Sequence, residues 1–110
     1  MYHKAMQSEV LKGHVDLLLL AALADGPAHG YAIVDAVRAR SGGAFDLAEG
    51  TVYPALYRLE RRGLLESGWS DGDGARRRRV YRLTRRGSAE LARQRQSWGS
   101  YVRAMQAALA

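Results

Sequence analysis

The 110-residue sequence predicts a mainly α-helical fold with a small β-hairpin, in the order helix, helix, helix, hairpin, long helix. Three segments before Gly63 carry apolar residues at helical spacing. Two strand-like segments flank the turn sequence Asp71-Gly72-Asp73-Gly74. A long helical segment then extends from Thr84 to about Leu109. We therefore expect one compact domain over residues 1–83 and a separate C-terminal helix over residues 84–110.

The first two helices are predicted from their apolar residues and from the residues that end them. The first, Val10 to Ala24, is apolar on most sides, which requires burial on most sides, and Asp25-Gly26-Pro27 ends it. The second, Gly30 to Arg40, ends at Ser41-Gly42-Gly43. Its apolar side is formed by Ile33, Val34 and Val37.

The third helix, Thr51 to Arg62, is followed by Gly63 as its stop. Its apolar face has the spacing i, i+3, i+4 and i+7 and consists of Val52, Ala55, Leu56 and Leu59. Pro54 leaves two alternatives for the helix start. If the helix begins before Thr51, Pro54 crowds the carbonyl of Gly50; otherwise the helix begins at Tyr53 and Pro54 lies in the first turn.

The hairpin and the last helix complete the chain. The strands are Leu64 to Ser70 and Arg77 to Leu83, and Arg76 to Arg79 are four consecutive arginines. Thr84 is a good N-cap for the last helix, whose length of roughly 39 Å exceeds what so small a body can cover. Its apolar residues follow a coiled-coil-like seam: Leu91, Trp98, Val102, Met105 and Leu109.

Several function classes are disfavoured by composition. The chain has no cysteine, and His3, His14 and His29 lack metal-ligand spacing. Neither a phosphate-cradling loop nor a nucleophile–base constellation is present, so we expect no enzyme activity, no cofactor and no metal. The apolar run from Leu17 to Ala24 is too short to span a bilayer, so we expect a cytoplasmic protein without a membrane partner.

The charge is concentrated in the second half of the chain. Residues 1–50 carry four Lys or Arg against six Asp or Glu, whereas residues 51–110 carry thirteen Arg against five, and the whole chain has a net charge of +6. A basic surplus confined to one half indicates a polyanionic partner, although a merely solvated face is the alternative. The element order is that of a winged helix-turn-helix, in which the third helix enters the major groove of double-stranded DNA and the hairpin touches the backbone or minor groove.

This plan selects candidate DNA-binding residues. On the third helix they are Thr51, Tyr53, Pro54, Tyr57, Arg58 and Arg61. On the hairpin they are Arg76, Arg77 and Arg78, whereas Arg79 is expected to lie along the sheet. A winged-helix module that binds a protein partner, with arginines serving solubility, is the alternative function.

The last helix also predicts a homodimer, and Trp98 has two interpretations there. It either packs in the dimer seam or provides a stacking platform for a flat ligand between subunits, with Val15 beside it. The predicted interface residues are Leu18, Leu91, Trp98, Tyr101, Val102, Met105 and Leu109.

Specific motifs within residues 10 to 90 resemble the PadR-like transcriptional regulators. They include Leu11-Lys12-Gly13, His29-Gly30-Tyr31, Glu49 to Leu56, Gly63-Leu64-Leu65 and Arg77 to Thr84. The resemblance implies a winged-helix repressor that dimerises through its first and last helices, binds a palindromic operator and responds to a phenolic or flat hydrophobic effector.

The resemblance also implies roles for single residues. DNA contacts would be Tyr31, Thr51, Tyr53, Tyr57 and Arg58. Trp98 matches the tryptophan that multidrug-binding members with a single C-terminal helix place at the dimer centre. The sequence departs from the family at Ala48, where a serine that caps the third helix is common, and this leaves the start of that helix open.

Overall fold

The computed structural model describes residues 13–70 and 77–110, and in these ranges four helices pack with a three-stranded antiparallel sheet. The helices are α1 (Val15–Ala22), α2 (Gly30–Arg40), α3 (Glu49–Arg61) and α4 (Arg85–Leu109). The strands are β1 (Ala28–His29), β2 (Leu65–Ser70) and β3 (Arg78–Leu83).

The core lies between α1, α2 and α3, and is closed by the sheet and the first part of α4. Its largest fully buried side chains are Leu19, Leu20, Ile33, Val52, Leu56, Leu59 and Leu65. The predicted apolar faces of α2 and α3 are all buried, which confirms their helical periodicity. The predicted first helix is shorter in the described residues, because Gly13 has φ +94° and the helix begins only at Val15; Val10 to Lys12 lie outside the described residues.

Helix α3 begins at Glu49, two residues before the predicted start, so Pro54 lies inside it. Ala48 is the N-cap residue and makes no side-chain capping bond; the carboxylate of Glu49 in the first turn is the charge that favours the helix start. At the other end, Gly63 has φ +79°, and the N–H groups of Gly63 and Leu64 donate to the carbonyls of Glu60 and Leu59. This left-handed cap ends the helix and turns the chain into β2.

The sheet contains one strand more than the predicted hairpin. Its order is β1-β3-β2, with Ala28 opposite Tyr81 and His29 opposite Val80. In the hairpin Leu65 pairs with Leu83 and Ser70 with Arg78, so each strand begins one residue later than predicted. The turn sequence from Asp71 to Gly74 lies outside the described residues. β1 is only two residues long, and it joins the start of α2 to the wing, the hairpin formed by β2 and β3.

Thr84 fastens α4 to the body of the protein, as predicted for an N-cap. Its hydroxyl donates to the carbonyl of Gly63 at 2.6 Å and accepts from the N–H of Gly87 at 3.0 Å. A Cβ at Gly87 would collide with the carbonyl oxygen of Leu64, so only glycine permits this close approach. One turn later, Leu91 is 3% exposed and belongs to the core of its own chain, so its prediction as a seam residue that faces a partner is wrong.

Candidate nucleic-acid interface

The exposed face of α3 carries most of the predicted DNA-binding residues. Because Val52, Ala55, Leu56 and Leu59 occupy the buried face, the helical period directs the remaining side chains to solvent. The structure accordingly exposes Thr51, Tyr53, Pro54, Tyr57, Arg58 and Arg61. Two tyrosines beside cationic groups offer hydroxyl donors and flat apolar surface to a nucleic acid.

Tyr57 and Arg61 form a pair on this face. The ring of Tyr57 is 60% exposed, and the guanidinium of Arg61 lies 5.7 Å from its centroid and donates to its hydroxyl oxygen at 3.3 Å. Because the hydroxyl accepts from Arg61, its own O–H is directed elsewhere and can donate to a phosphate oxygen. Arg61 makes no ion pair within the described residues, so its charge is available to DNA.

Arg58 differs from Arg61, because a carboxylate of α1 already binds it. Its Nη2 lies 3.2 Å from Oδ1 of Asp16, and Arg62 lies 4.0 Å from the other carboxylate oxygen. The carboxylate reduces the net charge that Arg58 presents. A phosphate would have to compete with Asp16 for Arg58, so this residue links α1 to α3 as well as facing solvent.

Tyr31 and Tyr53 lie together where α2 and α3 begin. A Cβ at Gly30 would collide with the hydroxyl of Tyr53, so glycine lets the ring lie against the start of α2. Partial burial, with smaller contributions from Tyr31 and Glu49, raises the pKa of Tyr53 above its ordinary value. Tyr53 therefore keeps its proton and can donate. Tyr31 is 59% exposed beside it, and its contact with DNA stays a prediction from the family resemblance.

In the wing, Trp69 organises two arginines. The guanidinium carbons of Arg77 and Arg79 lie 5.4 and 5.3 Å from its ring centroid. Arg79 is also 3.8 Å from the carboxylate of Glu60, which accepts a hydrogen bond from Ser67. Arg79 is thus held along the sheet, as predicted, whereas Arg77 makes no ion pair within the described residues.

Arg78 and Arg76 complete the predicted wing residues. Arg78 lies on the other face of β3, with Nη1 2.9 Å from Nε2 of His29. Arg76 lies outside the described residues. Neither His29 nor Trp69 is among the binding residues predicted from the sequence. The hairpin register, which sets Trp69 directly opposite Arg79, was the signal that could have identified Trp69.

A second exposed surface lies on the distal part of α4. Trp98 is 41%, Tyr101 54% and Leu109 76% exposed, with Met105 between them and Val102 half-buried. On α1, Leu18 is half-buried and packs against the core. The protein thus exposes an apolar row after Leu91.

A groove of about 410 Å³ lies beside Trp98. The ring of His14 meets Trp98 edge-on at 5.0 Å, and Tyr101 lies 5.6 Å away. The other lining residues are Gly13, Leu17, Arg93, Gln94 and Ser97. Val15, predicted to share this pocket, lies instead in a groove with Asp16, Thr51 and Pro54, because α1 turns it towards α3. Trp98 and Val15 therefore do not share a site within one chain.

The described residues form neither a metal-binding cluster nor a membrane-spanning helix. Residues 13–70 and 77–110 contain no cluster of three histidine or acidic side chains placed to hold a metal ion. In the same ranges, no helix combines the length and the apolar character needed to cross a membrane.

Known proteins share both the fold and the sequence pattern. The model of the transcriptional regulator PadR-like family matches residues 19–93. A transcriptional regulator of Mycobacterium tuberculosis is 39% identical over 89 residues, which are 81% of this chain and 79% of that protein.

Solved structures of PadR family regulators have the same fold as this chain. A PadR family transcriptional regulator from Eggerthella lenta has a TM-score of 0.81 and 33% identity, covering 96% of this chain and 90% of its own. A PadR family regulator from Clostridium difficile has a TM-score of 0.77 and 32% identity, covering 88% and 99%. The predicted resemblance and winged-helix plan are confirmed: the chain belongs to the PadR-like family, whose members are DNA-binding transcriptional regulators and not enzymes.

Proposed function

We propose that the protein is a ligand-responsive repressor that binds a palindromic operator as a homodimer. The observation that carries the proposal is the exposed apolar row on α4, formed by Trp98, Tyr101, Met105 and Leu109. A helix with an uncovered row of this size is stabilised when a second copy covers it. If two copies related by a twofold axis cover each other's apolar row, the resulting dimer carries two DNA-binding surfaces.

The twofold axis explains the palindrome. Each subunit presents one α3, and two such helices reach equivalent base pairs only if the operator repeats its sequence with inverted direction. Successive major grooves on one face of DNA are about 34 Å apart, so the half-sites are expected about 10 base pairs apart or at a multiple of that distance. A dimer bound to such an operator would repress most simply by blocking access of the transcription machinery to that DNA.

The groove beside Trp98 supports the response to a ligand. The indole of Trp98, with His14 and Tyr101, offers flat aromatic surface to a planar molecule, and the polar side chains of Gln94 and Ser97 also line the groove. The groove lies on the same helix as the apolar row. A molecule inserted there would alter how two copies of α4 meet, and therefore the spacing of the two α3 helices.

The test is selection of bound sequences from random duplex DNA, followed by release assays. We expect enrichment of one palindrome, strong salt dependence, and release by planar aromatic dyes that quench Trp98 fluorescence. Trp69→Phe leaves Trp98 as the remaining tryptophan, and Trp98→Ala in that background is the matched control. If no sequence is enriched, the proposal of a sequence-specific repressor is contradicted, and a protein-binding module or general nucleic-acid binding is favoured. Equal dye binding by Trp98→Ala would place any effector elsewhere.

A further inference from the structure

His29 makes contacts that cannot all be satisfied within the chain. It is the N-cap of α2, and its Nδ1 accepts a hydrogen bond from the N–H of Ala32 at 3.4 Å. A ring nitrogen that accepts carries no proton, so in the neutral imidazole the proton is on Nε2. Nε2 lies 2.9 Å from Nη1 of Arg78, which can only donate. A neutral imidazole has a single acceptor nitrogen and cannot accept from both Ala32 and Arg78, so in the tautomer that caps α2 through Nδ1, Nε2 is a donor.

The fold imposes this meeting of two donors. The antiparallel register sets His29 opposite Val80, and Arg78, two residues earlier on β3, points to the same face of the sheet as Val80. The short strand β1 thus brings the start of α2 to the base of the wing. In the tautomer that caps α2, neither N–H group satisfies the other, so each lacks an acceptor that the pair itself can supply.

Among residues 13–70 and 77–110, the surroundings of this pair offer donors and no carboxylate. His29 and Arg78 line a cleft of about 230 Å³ together with Tyr31, Tyr53 and Arg77. No acidic side chain of the described residues lines it. The cleft lies between the start of α3 and the wing, the two elements that contact DNA in a winged helix.

We propose that His29 Nε2–H and the Arg78 guanidinium together bind one phosphate of the DNA backbone, as a clamp between the recognition helix and the wing. A phosphodiester oxygen accepts from both groups at once, which resolves the two-donor contact and adds charge-assisted hydrogen bonds. The role of His29 is then double: Nδ1 caps α2, and Nε2 binds DNA. The inference rests on DNA binding by the chain, and neither on repression nor on an effector.

The variants separate these two roles. His29→Asn keeps a side-chain acceptor suited to an N-cap, so α2 is retained, but it removes the donor at the position of Nε2. Arg78→Ala removes the partner, and the double variant tests whether both act on the same phosphate. Thermal unfolding of each variant checks that the fold is retained.

The measurement is equilibrium binding to a mixed-sequence duplex and to the selected operator over a range of salt concentrations. We expect each single variant to lose roughly tenfold in affinity per subunit on both DNAs. Arg78→Ala should also lower the log–log salt slope by about 0.9 per subunit, whereas His29→Asn removes no guanidinium and should leave the slope unchanged. The double variant should be little weaker than Arg78→Ala.

The contrary results are distinct. If His29→Asn binds as wild type with an unchanged melting temperature, His29 is only a helix cap and the inference is overturned. If the two losses multiply fully, the residues bind separate groups and the clamp is overturned. If the wild type itself binds no duplex, the failure lies in DNA binding and not in this site.

Discussion

The protein exposes aromatic side chains on two surfaces that differ in their neighbours. On the first, Tyr31, Tyr53 and Tyr57 are accompanied by arginines of α3 and the wing. On the second, along distal α4, Trp98, Tyr101 and Leu109 lie in one row with Met105 and the half-buried Val102. Aromatic rings beside unpaired cations suit a phosphate backbone, whereas a helical row of apolar groups suits another copy of the same helix. The neighbours of an exposed ring, more than the ring itself, therefore indicate the partner.

The arginines divide in a similar way. Arg58, Arg79 and Arg82 each lie within 4 Å of a carboxylate, from Asp16, Glu60 and Glu66 respectively. Arg61, Arg77 and Arg78 make no ion pair within the described residues and lie on the first surface. Net charge alone suggests that all arginines contribute equally, but the ion pairs show that they differ in how much free charge they present.

The largest expected effect is on the oligomeric state, when the second surface is removed. A chain that ends at Arg95 keeps Leu91 and Thr84, so the body should still unfold cooperatively, but it lacks the apolar row. We expect sedimentation to show a monomer where the full chain is a dimer. A full-length Trp98→Ser/Leu109→Ser variant controls for the shortened helix. A shortened chain that remains a tight dimer would show that another face joins the copies.

The next largest effect compares substitutions of two adjacent residues, one on the exposed face of α3 and one on its buried face. Tyr57→Ala should keep the melting temperature within about 4 °C, because the ring is exposed, yet lose roughly tenfold or more in operator affinity per subunit. Leu56→Ala, on the buried face, should instead cost about 2–5 kcal/mol of unfolding free energy. Equal destabilisation by both variants would reverse the assignment of the faces.

A smaller effect compares DNA binding after substitution of an arginine without an ion pair and of an arginine that pairs with a carboxylate. Arg77→Ala should weaken binding to all sequences and reduce the log–log salt slope by about 0.9 per subunit. Arg82→Ala is the matched control, because Glu66 already pairs with Arg82 at 3.4 Å. Trp69→Leu should fall between them, since it removes the ring on which Arg77 rests but keeps the charge. Loss of one base preference with an unchanged slope would make Arg77 a base reader.

The smallest effect concerns Glu90 at the base of the second surface. Hydrogen bonds from Arg93, and then from Gln94, lower the pKa of Glu90 to about 2 from its ordinary 4.5. A lowered pKa stabilises the folded protein above pH 4.5, and this contribution is lost as the pH falls towards 2. Glu90→Gln should therefore melt below wild type at pH 7, and the gap should close below pH 4.5. A gap that stays constant down to pH 3 would contradict this, with Glu66→Gln as the control.

Much of the fold follows from local patterns in the sequence. The buried faces of α2 and α3 repeat at the helical period, and Gly63 and Thr84 mark a helix end and a helix start by their own chemistry. β1 could not be predicted, because two residues show no periodicity and are held only by pairing with β3. The early start of α3 at Glu49 was equally hidden, since Ala48 provides no side-chain cap.

For the candidate site, the sequence predicted which face of a helix is exposed, but not which residues contact each other. The spacing of Leu91 fits a seam, yet spacing does not say which chain covers a residue, and here it is the chain's own core. The pairing of Arg58 with Asp16 joins residues 42 positions apart, and the contact of Arg78 with His29 joins residues 49 apart. Such contacts depend on how helices and strands pack, which residue order alone does not reveal.

The most direct test of the account titrates the full chain and the chain ending at Arg95 on the selected palindrome and on a single half-site. If distal α4 joins two DNA-binding surfaces, two full chains should bind each palindrome, about 10²- to 10⁴-fold more tightly than the half-site. The shortened chain should bind both duplexes with the same weak, half-site affinity. A shortened chain that binds the palindrome as tightly as the full chain would contradict the division of labour between the two surfaces.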